Sequence, residues 1–198
     1  MSRVIVTGGA GFIGSNLAEE LVGRGYQVII IDNLATGRIS NIELLLARGE
    51  VEFVKGSITN LSLLKKVFAG ADYVFHQAAI PSVPRSINNP KASHNVNITG
   101  TLNVLLAARD KGIKKVIYAS SSSIYGDTPN LPKVEDMIPR PLSPYAVTKL
   151  TGEYYCKVFQ DIYSLNTISL RYFNVYGPRQ DPNSPYAAVI PLFVTRAL

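Results

Sequence analysis

Val4-Ile5-Val6-Thr7-Gly8-Gly9-Ala10-Gly11-Phe12-Ile13-Gly14 is the stretch that decides the fold. A short apolar, β-branched run ends in glycines at positions 8, 11 and 14, and an amphipathic segment follows at once. The pattern predicts a buried strand, a tight turn and a helix start. Gly8 permits the sharp turn, Gly11 leaves backbone bare for a pyrophosphate, and Gly14 lets the helix pack closely on the sheet. The helix start adds unpaired N–H groups and the positive end of its dipole. Three spaced glycines alone are a weak signal. Here a second apolar run, Gln27-Val28-Ile29-Ile30-Ile31, ends in Asp32, which lies about 20 residues beyond the glycines. A carboxylate there can accept both hydroxyls of an adenosine ribose. The bland alternative, a Gly-rich turn with a solvated Asp, does not account for the strand–turn–helix–strand order.

The chain is 198 residues long, enough to bury one good core. Its net charge of +6 is spread out, with Lys65-Lys66 and Lys114-Lys115 the densest pairs. Such a balance helps attract a doubly anionic nucleotide and gives no reason to invoke nucleic acid. The single Cys156 rules out an internal disulfide and a thiolate zinc cage, which fits a reducing compartment. No apolar run reaches membrane-spanning length, and the N-terminus carries no signal-peptide pattern, so no membrane and a cytoplasmic location are expected. His76 and His94 lack metal-ligand partners and read as structural, no metal is expected, and Cys156 reads as a helix core residue.

Outward from the glycines, residues 11–24 read as the first helix, with Phe12, Ile13, Leu17, Leu21 and Val22 toward the core and Gly23 and Gly25 closing it. Residues 33–38 form a small polar loop able to fold over an adenosine. Further strands are expected at 51–54, 71–76, 116–119 and 167–170. Helices are expected at 61–68, 90–111, from Ser143-Pro144 onward, and in part of 187–198. Asn89 and Ser143 read as caps, with Pro90 and Pro144 in the first turns. Pro81 and Pro84 mark an irregular connection, and Ala78 and Ala79 allow close backbone approach at a strand end. Strands alternating with helices predict an α/β fold, a doubly wound parallel sheet of Rossmann type.

Chemistry in such a sheet sits at the carboxyl ends of its strands. Two features land there: Ser120-Ser121-Ser122-Ser123 after the fifth strand, and Tyr145-Ala146-Val147-Thr148-Lys149 one turn into the next helix. Tyr and Lys four apart share a helix face. A phenol with pKa near ~10 is a poor base at neutral pH, and a nearby cation favours its phenolate. Ser121 is placed to hold a substrate oxygen beside it, and a carbinol losing its proton needs all three groups. Ser120, Ser122 and Ser123 can equally bond loop backbone.

Together with Ile124-Tyr125-Gly126-Asp127 and Arg171-Tyr172-Phe173-Asn174-Val175-Tyr176-Gly177, these motifs resemble the extended short-chain dehydrogenase/reductase family over the whole chain. Within it they are similar to nucleotide-sugar 4-epimerases of the UDP-glucose and UDP-N-acetylglucosamine type. The resemblance implies an NAD-dependent enzyme. Tyr145, as a phenolate supported by Lys149, takes the 4-hydroxyl proton while hydride passes from sugar carbon 4 to NAD. The 4-keto sugar turns, and hydride returns to its other face, with Ser121 assisting. NAD is assigned to Gly8, Gly11, Phe12, Ile13, Gly14, Asp32, Asn33, Ser57, Ile58, Ala78, Ala79, Asn97, Tyr145 and Lys149. The UDP-sugar is assigned to Ser82, Ser121, Ser122, Ser123, Tyr145, Asn174, Ala188 and Val189. Ser57 stands where the family often has an adenine-contacting Asp.

The resemblance also implies an NAD-binding domain over residues 1–178, with 179–198 beginning a substrate lobe. The chain stops at Leu198, where that lobe would begin, so it is expected to be a fragment or a shortened chain. A homodimer is implied through the helices starting at Pro90 and Ser143. UDP-glucuronate 4-epimerase, another nucleotide-sugar dehydratase or decarboxylase, and a non-catalytic NAD-binding module are the alternatives. A 4,6-dehydratase would need an Asp-Glu pair where Ser122 and Ser123 stand, and hydroxyls cannot replace a carboxylic acid and a carboxylate.

Overall fold

A computed structural model describes residues 1–181 and residue 193. Its strands are β1 (Arg3–Thr7), β2 (Gln27–Asp32), β3 (Val51–Lys55), β4 (Tyr73–His76), β5 (Lys115–Ser121) and β6 (Thr167–Tyr172). They make one parallel sheet in the order β3-β2-β1-β4-β5-β6. The order reverses between β1 and β4, which opens a crevice at their carboxyl ends.

Both faces of the sheet are covered, which is why β1 and β2 read as unbroken apolar runs. Val4, Val6, Val28 and Ile30 pack on one side with Ala18 and Leu21. Ile5, Ile29 and Ile31 pack on the other with Leu64, Val104, Leu105 and Phe159. Each such fully buried side chain contributes about 1.5–3 kcal/mol relative to exposure. The edge strand β6 is less covered, and Ile168 and Leu170 are exposed.

The helices are α1 (Phe12–Gly23), α2 (Glu43–Ala47), α3 (Leu61–Val67), α4 (Val83–Asn88), α5 (Pro90–His94), α6 (Gly100–Asp110) and α7 (Pro144–Tyr163). Asn60, Asn89 and Ser143 cap α3, α5 and α7 by accepting from Leu63, Ala92 and Ala146 N–H. Ser143 and Asn89 are thus the caps that the sequence indicated.

The helix over 90–111 runs on as expected but widens into a π-helical turn at Asn95–Thr99. Three expectations change. The connection after Pro81 contains α4, because Ser82 accepts Arg85 N–H and Pro84 fits a first helical turn. After the loop at 33–38 come a 3₁₀ turn and α2, too short for their periodicity to show. On α1 the sheet-facing side is Gly14, Ala18 and Leu21, with Leu17 and Val22 partly buried, while Phe12 and Ile13 stay outside the core. The helix expected within 187–198 lies outside the described residues, apart from helical Phe193.

Candidate active site

The turn after β1 is closed by Gly8 N–H donating to Ile31 O at 2.7 Å. Gly8 has φ +71°, and a Cβ there would lie 2.7 Å from Ala78 N. At Gly14 a Cβ would lie 2.2 Å from Gly8 O, whereas at Gly11 its nearest contact would be Gly8 O at 3.2 Å. Gly8 therefore lets the turn lie against the segment that follows β4, Gly14 lets α1 pack back on the turn, and Gly11 leaves the outer backbone bare. With the free N–H groups of the first turn of α1, this is a cradle for a pyrophosphate.

Asp32 is buried, and both of its oxygens are anchored. Oδ2 accepts Ala10 N–H at 3.0 Å and Oδ1 accepts Leu34 N–H at 2.8 Å. Each oxygen keeps a lone pair for a hydroxyl. The loop beyond folds back: Arg38 N–H and Asn41 Nδ2 both donate to Ala10 O, at 2.9 and 2.8 Å. Gly37 makes this approach feasible, since a Cβ there would sit 2.9 Å from Asp32 Oδ2. Sequence reading missed Gly37, because nothing local marks it. Asn33 is exposed and caps its own loop through Ala35 N–H. Ser57 bonds Thr59 within its turn. Ile58 has its side chain in the core against Gly100, which leaves its backbone as the part available to a cofactor.

A buried polar chain links this turn to α7. Thr101 Oγ1 donates to Asn97 O at 2.7 Å, so His76 Nε2 must be the donor in its 2.9 Å bond to Thr101. His76 Nδ1 is then left to accept from Thr7 Oγ1 at 2.8 Å, and Thr7 Oγ1 in turn accepts Ala78 N–H. Burial holds His76 neutral, with a pKa lowered to about 3. The structural reading of His76 stands, and its partners could not be read locally because Thr7 lies 69 residues away. Asn97 continues the chain. Its amide brackets Ile80 N–H and C=O and donates to Thr148 Oγ1 at 3.1 Å, while Thr148 donates to Tyr145 O. The π turn turns Asn97 inward for this. Asn97 thus fixes the loop after Ala78 and Ala79 relative to the tyrosine helix.

Tyr145 and Lys149 lie on the face of α7 toward the end of β5. Ser86 receives the Tyr145 N–H at 2.9 Å, and the helix is pinned at that point. Lys149 is buried, and its Nζ donates to Ala119 O at 2.8 Å, 5.9 Å from the centre of the Tyr145 ring. Burial without a carboxylate partner lowers its pKa to about 8. Burial raises the Tyr145 phenol, and a hydrogen bond from Ser121 opposes that rise. The Lys149 ammonium is turned to a carbonyl, and Ser121 works against the rise of the phenol without reversing it.

Ser121, Tyr145 and Lys149 are brought together; other indicated residues are more scattered. Ser123 N–H donates to Ser121 Oγ, and the Ser123 hydroxyl is buried without a protein partner, an arrangement suited to a ligand oxygen. Ser122 opens the 3₁₀ turn Ser122–Tyr125. Ser82 caps α4 at φ +96°, a strained value for a residue with a Cβ. Asn174 is exposed beyond β6, and Ala188 and Val189 lie outside the described residues. His94 is exposed, and burial pushes the Cys156 thiol up to about 12 in the helix core. Among the described residues no cluster of metal ligands forms, and no helix is long and apolar enough to cross a membrane.

The family model described as the NAD dependent epimerase/dehydratase family matches residues 4–198. The chain belongs to that family. Its cradle, anchored carboxylate and serine–tyrosine–lysine cluster fit the dinucleotide in the family's description. The chain is 41% identical over 194 residues to the UDP-glucose 4-epimerase of Mycolicibacterium smegmatis, covering 96% of this chain and 61% of that protein. A UDP-N-acetylglucosamine 4-epimerase from Methanobrevibacter ruminantium, in complex with UDP-N-acetylmuramic acid, superposes with TM-score 0.93 at 44% identity, covering 98% of this chain and 62% of the other. A Thermus thermophilus UDP-glucose 4-epimerase complexed with NAD gives 0.84 at 42%, covering 92% and 58%. The chain thus spans about three fifths of the length of these relatives.

Proposed function

We propose that this epimerase/dehydratase family member is the cofactor-binding part of an NAD-dependent 4-epimerase acting on a UDP-hexose. The observation that carries the reading is the Ser121–Tyr145–Lys149 cluster at the mouth of the crevice beside the glycine turn. NAD, when bound, supplies a reversible two-electron acceptor for the sugar carbon bearing the hydroxyl. The protein handles the proton. Tyr145 takes it from the sugar hydroxyl and returns it, and Ser121 donates to the phenolate and steadies the oxygen. Lys149, desolvated but still mainly protonated at neutral pH, adds positive charge that answers a phenolate once one forms.

The names of the relatives support UDP-glucose or its N-acetylated form as the substrate. Ser122 and Ser123 supply no carboxylates and favour epimerisation over 4,6-dehydration. Residues 1–178 would hold NAD and 179–198 would begin the substrate lobe. A homodimer through the α5–α6 and α7 faces, where Val147, Tyr154, Val158 and Ile162 are exposed, and a cytoplasmic location complete the reading.

Residues 1–198 should bind NAD in calorimetry while turning over UDP-sugars negligibly. In the full-length gene product, assayed against UDP-glucose, UDP-N-acetylglucosamine and UDP-glucuronate, Tyr145→Phe should cut turnover by about 10²–10⁴-fold and leave NAD bound. Near-normal rates in that variant would remove Tyr145 from the mechanism.

A further inference from the structure

Helix α7 does not stop meeting the end of β5 at Lys149. Tyr145, Lys149 and Glu153 are spaced by four along one helix, and each engages a residue of the same strand end, Ser121, Ala119 and Ser120 respectively. Ser121 is the side chain that opposes the rise of the Tyr145 phenol, and Lys149 donates to Ala119 O at 2.8 Å. Glu153 Oε1 accepts from Ser120 Oγ at 2.5 Å. The Glu153 carboxylate also receives a two-pronged contact from Arg171, Nε to Oε1 at 3.0 Å and an η nitrogen to Oε2 at 3.0 Å. Arg171 is the residue on β6 in register with Ser120. Its guanidinium lies over the Tyr125 ring, 4.9 Å from the centre, and donates to Glu135 O at 2.9 Å.

A largely buried carboxylate–guanidinium pair adds little net stability over an apolar pair of the same volume, so stability alone does not account for it. Its placement does suggest a role. Ser120 is covalently next to Ser121, and a serine ending a strand would otherwise be free to bond loop backbone. Glu153 takes that hydroxyl instead. Arg171 meanwhile cancels a negative charge that would disfavour a phenolate two helical turns away.

We propose that Glu153 is a positioning residue: held by Arg171, it clamps Ser120 and so fixes the Ser121 hydroxyl on the Tyr145 phenol. The proposal rests on the reading of Tyr145 as the proton acceptor. The other titratable groups around this face stay neutral. Burial drives His76 on β4 down and Tyr118 on β5 and Cys156 on α7 up, and Lys149 is the remaining cation beside the phenol.

The test is the ionisation of Tyr145 in the NAD-loaded chain, followed by NMR of ¹³Cζ-labelled tyrosine and assigned with Tyr145→Phe. Ser121→Ala sets the reference by raising the midpoint. Ser120→Ala and the double variant Glu153→Gln/Arg171→Met, which strands no charge, should raise it in the same direction. Adding Ser120→Ala to Ser121→Ala should raise it no further, because the two act through one contact. Ser120→Thr, which keeps the hydroxyl, should restore the wild-type midpoint. An unmoved midpoint in Ser120→Ala overturns the proposal, and so does a full additive shift in the combined variant. Ser120→Ala loses one hydroxyl and decides the matter even if the double variant fails to fold. Failure of the Tyr145 reading is seen separately, as retained turnover in Tyr145→Phe.

Discussion

The turn after β1 and the end of β5 sit at the same edge of the sheet and are built from opposite materials. The first is made of backbone and of side chains that are missing. Gly8, Gly11 and Gly14 contribute space, and Asp32 is tied down by two backbone N–H groups. The second is made of buried polar side chains whose ionisation is shifted by burial. Lys149 is desolvated with a carbonyl for a partner, and Tyr145 is pushed up by burial. The first region should therefore fail by collision, and the second by charge.

That contrast can be broken most severely at Gly14. Gly14→Ala brings a methyl to 2.2 Å from Gly8 O, a backbone atom with no freedom to rotate aside. A loss of about 3 kcal/mol or more is expected in urea unfolding, together with loss of NAD binding. Gly23→Ala is the internal control: a Cβ there meets nothing within 4 Å, and a gain of about 0.5–1 kcal/mol is expected. If both variants behave alike, sterics do not govern the turn.

Lys149→Met probes the charge side without collision. A buried lysine lowered to about 8 from 10.5 disfavours folding by about 3 kcal/mol at neutral pH. The lost bond to Ala119 O returns about 1 kcal/mol of this, so the cofactor-free variant should be more stable by about 2 kcal/mol at pH 7. The sign follows from linkage. Between about 8 and 10.5 the unfolded chain binds more protons than the native one, so wild-type stability rises with pH through that window and the advantage of the variant fades. Urea midpoints at pH 7 and pH 10 read it; a destabilised variant at pH 7 would mean that the ammonium is compensated.

Asp32→Asn sharpens the first half of the comparison with a smaller effect. Arg38, the nearby cation that could greet a 2′-phosphate, is paired with Asp181 at 2.5 Å, so Asp32 carries the discrimination. Removing its charge should narrow the preference for NAD over NADP by about tenfold, or about 1.4 kcal/mol, in parallel calorimetric titrations. An unchanged ratio would assign the preference to some other group.

The two regions also differ in how far they can be read from sequence. The glycine turn, the strand before it and Asp32 are written in one local stretch, because strand, turn and helix periodicities change within a few residues. Tyr145 and Lys149 are legible for the same reason, being four apart on one helix. What surrounds them is not. Thr7, His76 and Thr101 meet across three elements, and Glu153, Ser120 and Arg171 across another three. No spacing rule links such residues, and Gly37 is informative only once the loop has folded back. The direction of the Tyr145 shift escapes a sequence reading because helix spacing says that Lys149 is near, but not that its ammonium has turned to Ala119 O.

The register of β1 against β4 has a consequence for how the chain acquires its cofactor. Thr7 pairs with His76 across 69 residues, and the wall behind Gly8 is Ala78. A nascent chain that has emerged only through α3 already holds all three glycines and Asp32, yet has nothing for the turn to close against. Long-range parallel pairing is also the slow step in forming such sheets, since a long loop must be closed before contacts reward it. Capture of the dinucleotide during synthesis therefore waits for β4, and NAD added to progressively longer ribosome-bound chains would mark the moment at which the two halves of the sheet meet.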